Sequence, residues 1–429
     1  MGVKTPLIER PPGCLSFRSK QTDVKHVVII GGGVIGLSAA CECARRGHRV
    51  TVIEKARARR GASFGNAGMI VPSHFIPLAA PGMVALGLKW MWNPESPFYI
   101  QPRLDWELIA WAWRFWRAST RERVERAAPL LRDLHLASRA AYEQIADECG
   151  LVRKGLLMLC KTQHALDEEA HTAAKARELG LPAEVLDAQQ TAALDPGVTM
   201  DVVGSVHFPR DCHLQPERYV AAMERRIGPL VDAEVTGWRR DGARLVAVET
   251  TSGEIAGDEF VLAGGAWSSA LVRELGLRLP MQAGKGYSLT LPQPVELPQI
   301  CSILTEARVA VTPMGGALRV GGTMEIAGLD ERISARRVAG IVNALPRYYP
   351  HFRREHFDGI EPWRGLRPCS PDGLPYLGRT RAAENLILAT GHAMMGLSLA
   401  PVTGDLVAQI VDREPPRYDL TLLSPDRYA

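Results

Sequence analysis

Residues 25–54 read KHVVIIGGGVIGLSAACECARRGHRVTVIE, and this segment decides the fold. Residues 27–30 form a short run of apolar, β-branched side chains, which is typical of a buried parallel strand. The turn at 31–36 fits the pattern G-x-G-x-x-G, and residues 37–46 predict a helix. Residues 50–54 predict a second buried strand that ends in a glutamate. The order of strand, glycine turn, helix, strand and acid predicts a βαβ unit of the Rossmann type.

Each part of this unit has a physical role in holding a dinucleotide. Gly31 permits a tight turn, Gly33 lets a pyrophosphate approach the backbone, and Gly36 lets the helix pack closely on the strand. The helix N-terminus carries partial positive charge that favours phosphates. Glu54 is placed to accept hydrogen bonds from ribose hydroxyls. The unit therefore predicts dinucleotide binding, with a βαβ unit that holds no nucleotide as the alternative, and it does not separate FAD from NAD.

The composition is that of a globular protein with room for two domains or more. The chain has 429 residues, of which 46% are hydrophobic and 23% are charged. The net charge of +4 is too small to indicate nucleic-acid binding. The eight cysteines include no C-x-x-C pair, which predicts no metal site and indicates unpaired thiols in a reducing compartment. Residues 1–23 predict a loose extension rather than a signal peptide, and no run is long and apolar enough to span a bilayer.

Two further glycine-rich segments, at 61–68 and around Gly264, are candidates for contact with the same nucleotide. One lies at 61–68, where small residues let backbone amides come close to a ligand, although an ordinary loop explains them equally well. A strand predicted at 259–262 runs into a turn around Gly264, which is either a second nucleotide contact or a plain turn. A last buried strand at 386–389 leads through a glycine to a helix predicted at 396–411.

A helix is predicted at 216–227, and the character of the sequence changes from Pro280 onward. Residues 284–321 carry strand and hairpin signals, which predict an antiparallel region and a candidate substrate domain. Residues 363–373, which are rich in glycine, proline and arginine, predict irregular structure.

Six of the nine tryptophans are concentrated between residues 81 and 117. Residues 103–117 have helical spacing, with large apolar side chains on two sides of the predicted helix. One side holds Trp106, Ile109, Trp113 and Trp116, and the other side holds Leu104, Leu108, Trp111 and Phe115. A helix that is apolar on both sides is either buried, here between domains, or partly in contact with a membrane surface, and the sequence leaves both interpretations open.

Several stretches, taken in order, resemble the FAD-dependent amine-oxidising family that contains D-amino acid oxidase, glycine oxidase and sarcosine oxidase. The matching stretches are VVIIGGGVIGLSAA, GASFGNAG, AAPG followed by LKWMW, KGYSLT, ALRVGGTMEIAG, GLRPCSPDGLPYLGRT, ATGH and LLSPDRY. Within the family, the chain is most similar to the catalytic small subunit of the bacterial D-amino acid dehydrogenases. The combination covers nearly the whole chain from residue 25, and it implies FAD rather than NAD as the cofactor.

The resemblance implies an α/β fold with two domains. A Rossmann-like FAD-binding domain would be assembled from residues 24–88, 200–272 and 360–429, and a substrate domain with a mostly antiparallel sheet from 89–199 and 273–359. The last segment would place a helix N-terminus at the N1–C2 oxygen edge of the flavin, where it stabilises negative charge. By position, the residues that would hold FAD are Gly31, Gly33, Val34, Ile35, Gly36, Glu54, Lys55, Ser63, Asn66, Ala67, Gly68, Val235, Gly264, Gly391, Met395, Gly396, Leu397 and Ser398.

The resemblance also implies the residues around the substrate. Arg367 matches the arginine that binds the substrate carboxylate in glycine oxidase, a task suited to a planar guanidinium with two parallel donors. Arg364 is the close competitor, and a structural arginine is the plain alternative. Tyr287 is expected either to orient the carboxylate or to lie in the core. His74 and His392 are expected to face the substrate amine, with backbone positioning beside the cofactor as the alternative for His392.

The implied reaction is oxidation of a D-amino acid by hydride transfer from its Cα to flavin N5, with the electrons passed to a quinone or another acceptor. Glycine oxidase has a second arginine where this chain has Met394, which predicts an apolar pocket wall with room for D-proline or a hydroxylated D-proline. Two alternatives stay open. One is a glycine or sarcosine oxidase that uses oxygen, and the other is the flavin subunit of a hetero-oligomeric amine dehydrogenase.

The expected partners are a small D-amino acid and an electron carrier, with no nucleic acid and no metal. A cytoplasmic location is expected from the same resemblance. The tryptophan-rich segment adds two alternatives, which are peripheral contact with the inner face of the cytoplasmic membrane and assembly into a homo- or hetero-oligomer.

Overall fold

The structure is a computed structural model of the chain, and it describes residues 23–55, 61–91 and 95–429. The extension expected at 1–23, apart from Asp23, lies outside the described residues, as does Trp92. The helices are α1 (Val34–Arg45), α2 (Met83–Trp90), α3 (Trp106–Ala118), α4 (Arg121–Glu143), α5 (Ala146–Cys149), α6 (Gln163–Glu178), α7 (Ala188–Leu194), α8 (Pro216–Ile227), α9 (Ser268–Arg273), α10 (Ala335–Ala344) and α11 (Gly396–Val411).

The strands belong to two large sheets and two small ones. They are β1 (His26–Ile30), β2 (Arg49–Glu54), β3 (Met69–Ile70), β4 (Phe98–Ile100), β5 (Leu156–Cys160), β6 (Glu184–Asp187), β7 (Gly204–Phe208), β8 (Cys212–His213), β9 (Val231–Asp232), β10 (Val235–Asp241), β11 (Arg244–Thr250), β12 (Gly253–Ala256), β13 (Glu259–Leu262), β14 (Gln282–Leu291), β15 (Cys301–Leu304), β16 (Val309–Met314), β17 (Ala317–Ile326), β18 (Trp363–Cys369), β19 (Tyr376–Thr380) and β20 (Ala383–Thr390).

The first sheet contains the βαβ unit. Its strand order is β19-β20-β13-β1-β2-β9, and all neighbours are parallel except β19, which runs antiparallel to β20. Val27, Val28 and Ile29 are fully buried because helices cover one face of the sheet and the β10-β11-β12 sheet covers the other. The Rossmann-like fold expected from residues 25–54 is therefore confirmed.

The second sheet is mostly antiparallel, as expected. Its order is β18-β14-β17-β16-β15-β5-β7-β6, and β4 lies beside β17. Only the pairs β5–β15 and β4–β17 are parallel in the described part of this sheet. The irregular structure expected at 363–373 is wrong for its first half, because β18 pairs with β14 along all seven of its residues. That long-range pairing satisfies the backbone although Gly365 and Pro368 interrupt the local strand pattern.

The expected domain segments differ from the observed packing at three places. Strand β7 lies in the segment 200–272 and β18 in the segment 360–429, yet both strands belong to the second sheet. Helix α4, in the segment 89–199, packs along α11, and the Tyr142 hydroxyl donates to the Leu397 carbonyl at 2.6 Å. The chain crosses between the two layers more often than local patterns indicate, because sheet membership is set by partners distant in sequence.

Helix α11 packs between α1 and α4 beside the parallel sheet. A Cβ on Gly404 would stand 2.6 Å from the backbone of Ser38, so α11 and α1 touch through their main chains. Residues Ala393–Val411 form the one helical run in the described residues that is long and apolar enough to cross a membrane, contrary to the sequence expectation. Because 78% of its apolar window is buried inside the protein, it is the core helix of the fold.

Candidate active site

The carboxyl ends of β1, β13 and β20 lie side by side, and each is followed by a glycine turn. Gly31 follows β1, Gly264 lies just beyond β13, and Gly391 follows β20. A Cβ on Gly31 would stand 2.4 Å from the carbonyl oxygen of Ala263, so the first two turns are in contact. In open α/β sheets this edge is where nucleotides bind. The structure thus brings together the three glycine segments that the sequence places far apart.

The first turn has room for backbone and little else. Gly31 has a φ of 111°, a conformation that favours glycine, and a Cβ on Gly36 would stand 1.8 Å from the Gly31 carbonyl oxygen. Gly33 is the N-cap of α1, and Val34 and Ile35 begin the helix. The helix therefore starts directly at the sheet edge, where its N-terminus carries partial positive charge.

Two polar side chains stand at this helix N-terminus. The Val34 amide donates to Ser63 Oγ at 3.0 Å, and the Gly32 amide donates to Glu54 Oε2 at 2.6 Å. Ser63 and Glu54, which are expected to hold the cofactor, thus both lie at the N-terminus of α1, the part of such a unit that faces the phosphates of a dinucleotide. Lys55 contacts residues that follow other strands, because its ammonium lies 4.4 Å from the Trp267 ring centroid and 3.4 Å from a Glu234 carboxylate oxygen.

Val235 begins β10 and is buried beside the end of the parallel sheet. It belongs to the same apolar cluster as Ile30, the last residue of β1, and Ile53, which precedes Glu54 at the end of β2. The backbone contact on the adenine side that the resemblance implies for Val235 stays a prediction.

The loop at 61–68 is fixed from within and from the second sheet. Asn66 Oδ1 accepts the Gly68 amide at 2.7 Å, and Gly68 has a φ of 69°. A Cβ at Gly68 would stand 2.3 Å from the Leu214 carbonyl oxygen, so this residue must be glycine. Asn66 therefore shapes the loop that carries Ser63 and Ala67.

Sequence reasoning missed two residues that hold this loop. Ser288 Oγ donates to the Gly65 carbonyl at 2.7 Å. Arg319 Nη1 donates to the carbonyls of Phe64 and Asn66 at 3.1 and 3.0 Å. Both side chains come from the second sheet, so the loop joins the two layers. No local pattern identifies such partners, because each contact spans more than two hundred residues of sequence.

The N-terminus of α11 is held by a buried histidine that the sequence did not indicate. Ser398 Oγ accepts the Val71 amide at 2.9 Å and lies 2.7 Å from His135 Nδ1. Burial lowers the pKa of His135 to about 3, so the imidazole is neutral. Met395 and Leu397 are buried beside Gly396 in the first turn. The helix N-terminus expected at the flavin is therefore rigidly placed.

Arg367 lies on the face of β18 that is bordered by glycines of β14. It is paired with Gly284, and its guanidinium lies over Gly286. Its Nη1 donates to the Thr323 carbonyl at 2.7 Å. Thr323 has a φ of 69°, a strained conformation for a β-branched residue, which aims that carbonyl at the arginine. Burial lowers the pKa of Arg367 from its ordinary value, although a guanidinium keeps its charge.

Arg364 and Tyr287 lie on the opposite face of the same strands. The two residues are paired across β18 and β14, and an odd separation from Arg367 turns Arg364 away from it. Arg364 Nη2 is 2.9 Å from a Glu331 carboxylate oxygen, and the Tyr287 hydroxyl donates to Glu325 at 2.5 Å. The expectation that Tyr287 orients the substrate carboxylate does not fit this placement. Its core alternative does, because strand alternation sends residues 285, 287 and 289 to the far side of the sheet.

Trp363 is a site residue that the sequence analysis did not single out. It shares a face of β18 with Arg367, and its ring lies 2.1 Å from the Cβ position of Gly65 and 2.2 Å from that of Gly365. Its indole Nε1 is buried and has no hydrogen-bond partner within the part of the chain that is described. The pattern W-x-G-x-R carries the signal, because a large, a small and a charged residue alternate on one strand face.

The two expected histidines are neutral and sit in different places. His74 Nδ1 lies 3.1 Å from Ser73 Oγ, which in turn donates to Asp211, and burial with nearby Arg308 lowers the pKa of His74 to about 4. His392 is buried, and its Nε2 lies 3.1 Å from Thr403 Oγ1. Burial lowers the pKa of His392 to about 3, so it braces the turn before α11.

The geometry alone indicates a protein that binds a flavin dinucleotide. The edge of the parallel sheet carries two helix N-termini, close glycine turns and an acid at the end of the second strand, and this arrangement fits such a cofactor. An arginine lies on the adjoining antiparallel sheet. The sequence matches the family described as FAD dependent oxidoreductase over residues 26–410, and the chain belongs to that family. The expected cofactor, FAD, is thereby confirmed.

Individual relatives agree with this assignment. The chain is 32% identical over 422 residues to a D-amino acid dehydrogenase of Granulibacter bethesdensis, covering 94% of this chain and 100% of the relative. It is 34% identical over 424 residues to a D-amino acid dehydrogenase of Methylobacterium radiotolerans, with the same coverage. The crystal structure of glycine oxidase from Geobacillus kaustophilus has a TM-score of 0.75 and 27% identity, covering 94% of this chain and 99% of that one.

Proposed function

We propose that the protein is an FAD-dependent dehydrogenase of D-amino acids. The observation that carries the proposal is the enclosed guanidinium of Arg367, on the sheet that adjoins the FAD-binding edge. Relatives that match nearly the whole chain at about one-third identity are named D-amino acid dehydrogenase, which supports this substrate class.

Arg367 binds the carboxylate of the amino acid in this proposal. Its Nη1 is held by Thr323, which fixes the plane of the guanidinium and leaves its other N–H groups for two parallel hydrogen bonds. Enclosure strengthens this charge pair, because little water remains to screen it. A carboxylate held at two points fixes the direction of the neighbouring Cα–H bond, which is what a stereospecific oxidation needs.

When bound, FAD supplies the acceptor for the hydride that leaves the substrate Cα. The protein's own residues position the cofactor and the substrate. The N-terminus of α11, fixed through Ser398 and His135, presents partial positive charge to the flavin edge. When Asp211 is ionised, Ser73 donates its one proton to that carboxylate, so His74 Nδ1 is the donor in the Ser73–His74 contact and His74 Nε2 carries a lone pair. We assign His74 Nε2 as a hydrogen-bond acceptor for the substrate amine.

The side-chain pocket is proposed to be apolar. Met394, in the turn before α11, is exposed, whereas its neighbours Ala393 and Met395 are buried. A flexible thioether adapts to side chains of different shape, so D-proline and hydroxylated D-proline are the first candidates. A second candidate function, glycine or sarcosine oxidation with oxygen, is supported by the structural likeness to glycine oxidase at 27% identity.

The electron acceptor is proposed to be a quinone, reached by peripheral contact with the inner face of the cytoplasmic membrane. Three tryptophans of α3 that point into solvent support such a contact.

The test is an anaerobic titration of the purified, flavin-loaded protein. D-amino acids, D-proline, sarcosine and glycine are added in turn while the flavin absorbance is followed. Bleaching by D-amino acids and not by their L-enantiomers is the expected result, and slow recovery in air but fast recovery with a soluble quinone identifies a dehydrogenase. Bleaching by glycine or sarcosine alone, followed by rapid recovery in air, would replace the proposal with the oxidase. A yellow protein that no amine bleaches would contradict both and indicate a subunit that needs a partner.

A further inference from the structure

Helix α3 exposes a row of large apolar side chains to solvent. The row, here called the tryptophan face, consists of Trp106, Ile109, Trp113 and Trp116, whose spacing of three and four residues places them on one side of the helix. The three tryptophans are 83%, 52% and 61% exposed. A cluster of this kind marks an interaction surface, because single exposed apolar residues are common but contiguous ones are not.

The other side of α3 is firmly packed, so the exposure is not the result of a loosely held helix. Leu108 and Trp111 are buried against Met324, Cys369 and Ala393, and Trp111 Nε1 donates to the Cys369 carbonyl at 2.9 Å. Of the two alternatives that the sequence left open, packing therefore holds for one side of the helix, and the tryptophan face remains without a protein partner among the described residues.

Around the tryptophan face, the acidic side chains are paired in salt bridges, whereas a nearby arginine is not. Its nearest acids are neutralised, because Asp105 pairs with Arg103 at 3.0 Å and Glu107 pairs with Arg273 at 2.6 Å. By contrast, the Arg117 guanidinium lies 4.7 Å from the Trp113 ring centroid, with no described acid in ion-pair distance.

More positive charge lies at the corner where α3 gives way to α4. Arg123 and Arg126 line a surface pocket of about 160 Å³, here called the basic pocket, together with Arg427 and Tyr428. Arg427 forms an ion pair with Asp372, but no described acid forms an ion pair with Arg123 or Arg126. Arg114 of α3 lies 5.9 Å from the Tyr428 ring centroid, so the pocket adjoins the helix that carries the tryptophan face.

We propose that the tryptophan face and the basic pocket dock the enzyme on a bilayer that contains anionic lipids. Indole rings suit the boundary between headgroups and acyl chains, and unpaired arginines attract anionic headgroups. A second copy of this chain fits less well, because a two-fold contact would bring the same unpaired arginines face to face. The proposal rests on the proposed function, in which the acceptor is dissolved in the membrane. Helix α3, about 10 Å thick, would then separate the lipid from the strand that carries Arg367.

The test is co-sedimentation of the flavin-loaded protein with vesicles of phosphatidylcholine alone or with one third phosphatidylglycerol. We expect binding to the anionic vesicles, weaker binding to the neutral ones, and weakening by salt. The double variant Trp113→Gln/Trp116→Gln should reduce binding at least tenfold. Arg123→Gln/Arg126→Gln should reduce it about fivefold per arginine on anionic vesicles only. The matched controls are Val295→Gln/Leu329→Gln, which remove exposed apolar side chains elsewhere, and Arg336→Gln.

The same preparation is assayed for flavin bleaching by D-amino acids without lipid, which separates this inference from the proposed function. A protein that is bleached but binds no vesicles, or whose binding survives both double variants, contradicts the docking surface alone. A protein that binds vesicles through this surface but is not bleached contradicts the proposed function alone. A mass in solution that falls from dimer to monomer in the tryptophan variant would assign the surface to a second copy of the chain and overturn the lipid proposal.

Discussion

The guanidinium of Arg367 occupies the space that Gly286 leaves open on the neighbouring strand. Its Nη1 and Nη2 atoms lie 2.1 and 2.3 Å from the point where a Cβ of residue 286 would stand. Any side chain at 286 would overlap the arginine. The position of the candidate carboxylate ligand therefore depends on a glycine in β14 as much as on the arginine itself.

Replacing Arg367 with leucine should weaken substrate binding strongly and spare the cofactor. Loss of a desolvated partner of a carboxylate costs about 2–5 kcal/mol, so the Kd for the D-amino acid should rise by about 30-fold or more. The measurement is anaerobic substrate titration of the flavin spectrum, with flavin content determined beside it. Arg364→Leu is the matched control, because Arg364 faces Glu331 on the other side of the sheet. A variant that loses FAD would show that Arg367 is structural.

Gly286→Ala should imitate the loss of Arg367 in milder form. The added methyl displaces the guanidinium from its hydrogen bond to Thr323, so we expect the substrate Kd to rise about tenfold with FAD retained. Gly197→Ala is the control, because a Cβ there meets nothing closer than 3.9 Å and φ is not left-handed. The measurement is again the anaerobic titration. An unchanged Kd would mean that the arginine binds substrate from a different position.

Elements with strong local end signals were predicted from sequence alone. The helices expected at 216–227 and 396–411 coincide with Pro216–Ile227 and Gly396–Val411, because a proline and a glycine fix where each begins. Strand β18 was missed because Gly365 and Pro368 mask its alternation, and its partner β14 is distant in sequence. A shared edge for β1 and β13 was proposed from their glycine turns, whereas the turn after β20 was expected there only through the family resemblance.

The sequence indicated which residues are candidates for the site better than it indicated where their side chains point. The glycine turns lie at one edge of the parallel sheet and Arg367 on the adjoining sheet, and their roles toward cofactor and substrate stay predictions, whereas Tyr287 faces the opposite side of the strands from Arg367. The small side chains at 284, 286 and 288 alternate with large ones at 285, 287 and 289, so the sequence already indicated which residues share a face of β14. Trp363 and His135 were not found, because their importance lies in contacts with loops that are far away along the chain.

His135→Leu should weaken FAD binding. The substitution removes one of the two hydrogen-bond partners of Ser398 at the N-terminus of α11 and leaves the buried hydroxyl with the Val71 amide alone, at a cost of about 1–3 kcal/mol. We expect about a tenfold higher Kd for FAD, measured by titration of the apoprotein, and a lower melting temperature. His164→Leu is the control, because His164 lies on the surface of α6. Loss of stability with an unchanged FAD affinity would show that His135 only packs the core.

Asp211 should make the protein less stable as the pH rises. Burial raises its pKa to about 7, against about 4 in an unfolded chain, although hydrogen bonds from Ser73 favour the charged form. The folded state then binds more protons between pH 4 and pH 7, so the free energy of unfolding falls as pH rises through that window. From pH 5 to pH 8 the wild type should lose about 3 kcal/mol relative to Asp211→Asn.

Denaturant unfolding at both pH values provides the measurement for this prediction. The buried histidines have lowered pKa values and oppose the trend, but they are present in both proteins and cancel in the difference. Asp241→Asn, at an exposed residue, serves as control and should follow the wild type. Equal pH dependence in wild type and Asp211→Asn would mean that Asp211 is ionised in the folded state. Ser73, which contacts His74, would then always donate to a charged Asp211 carboxylate, rather than to a carboxyl group that titrates near neutral pH.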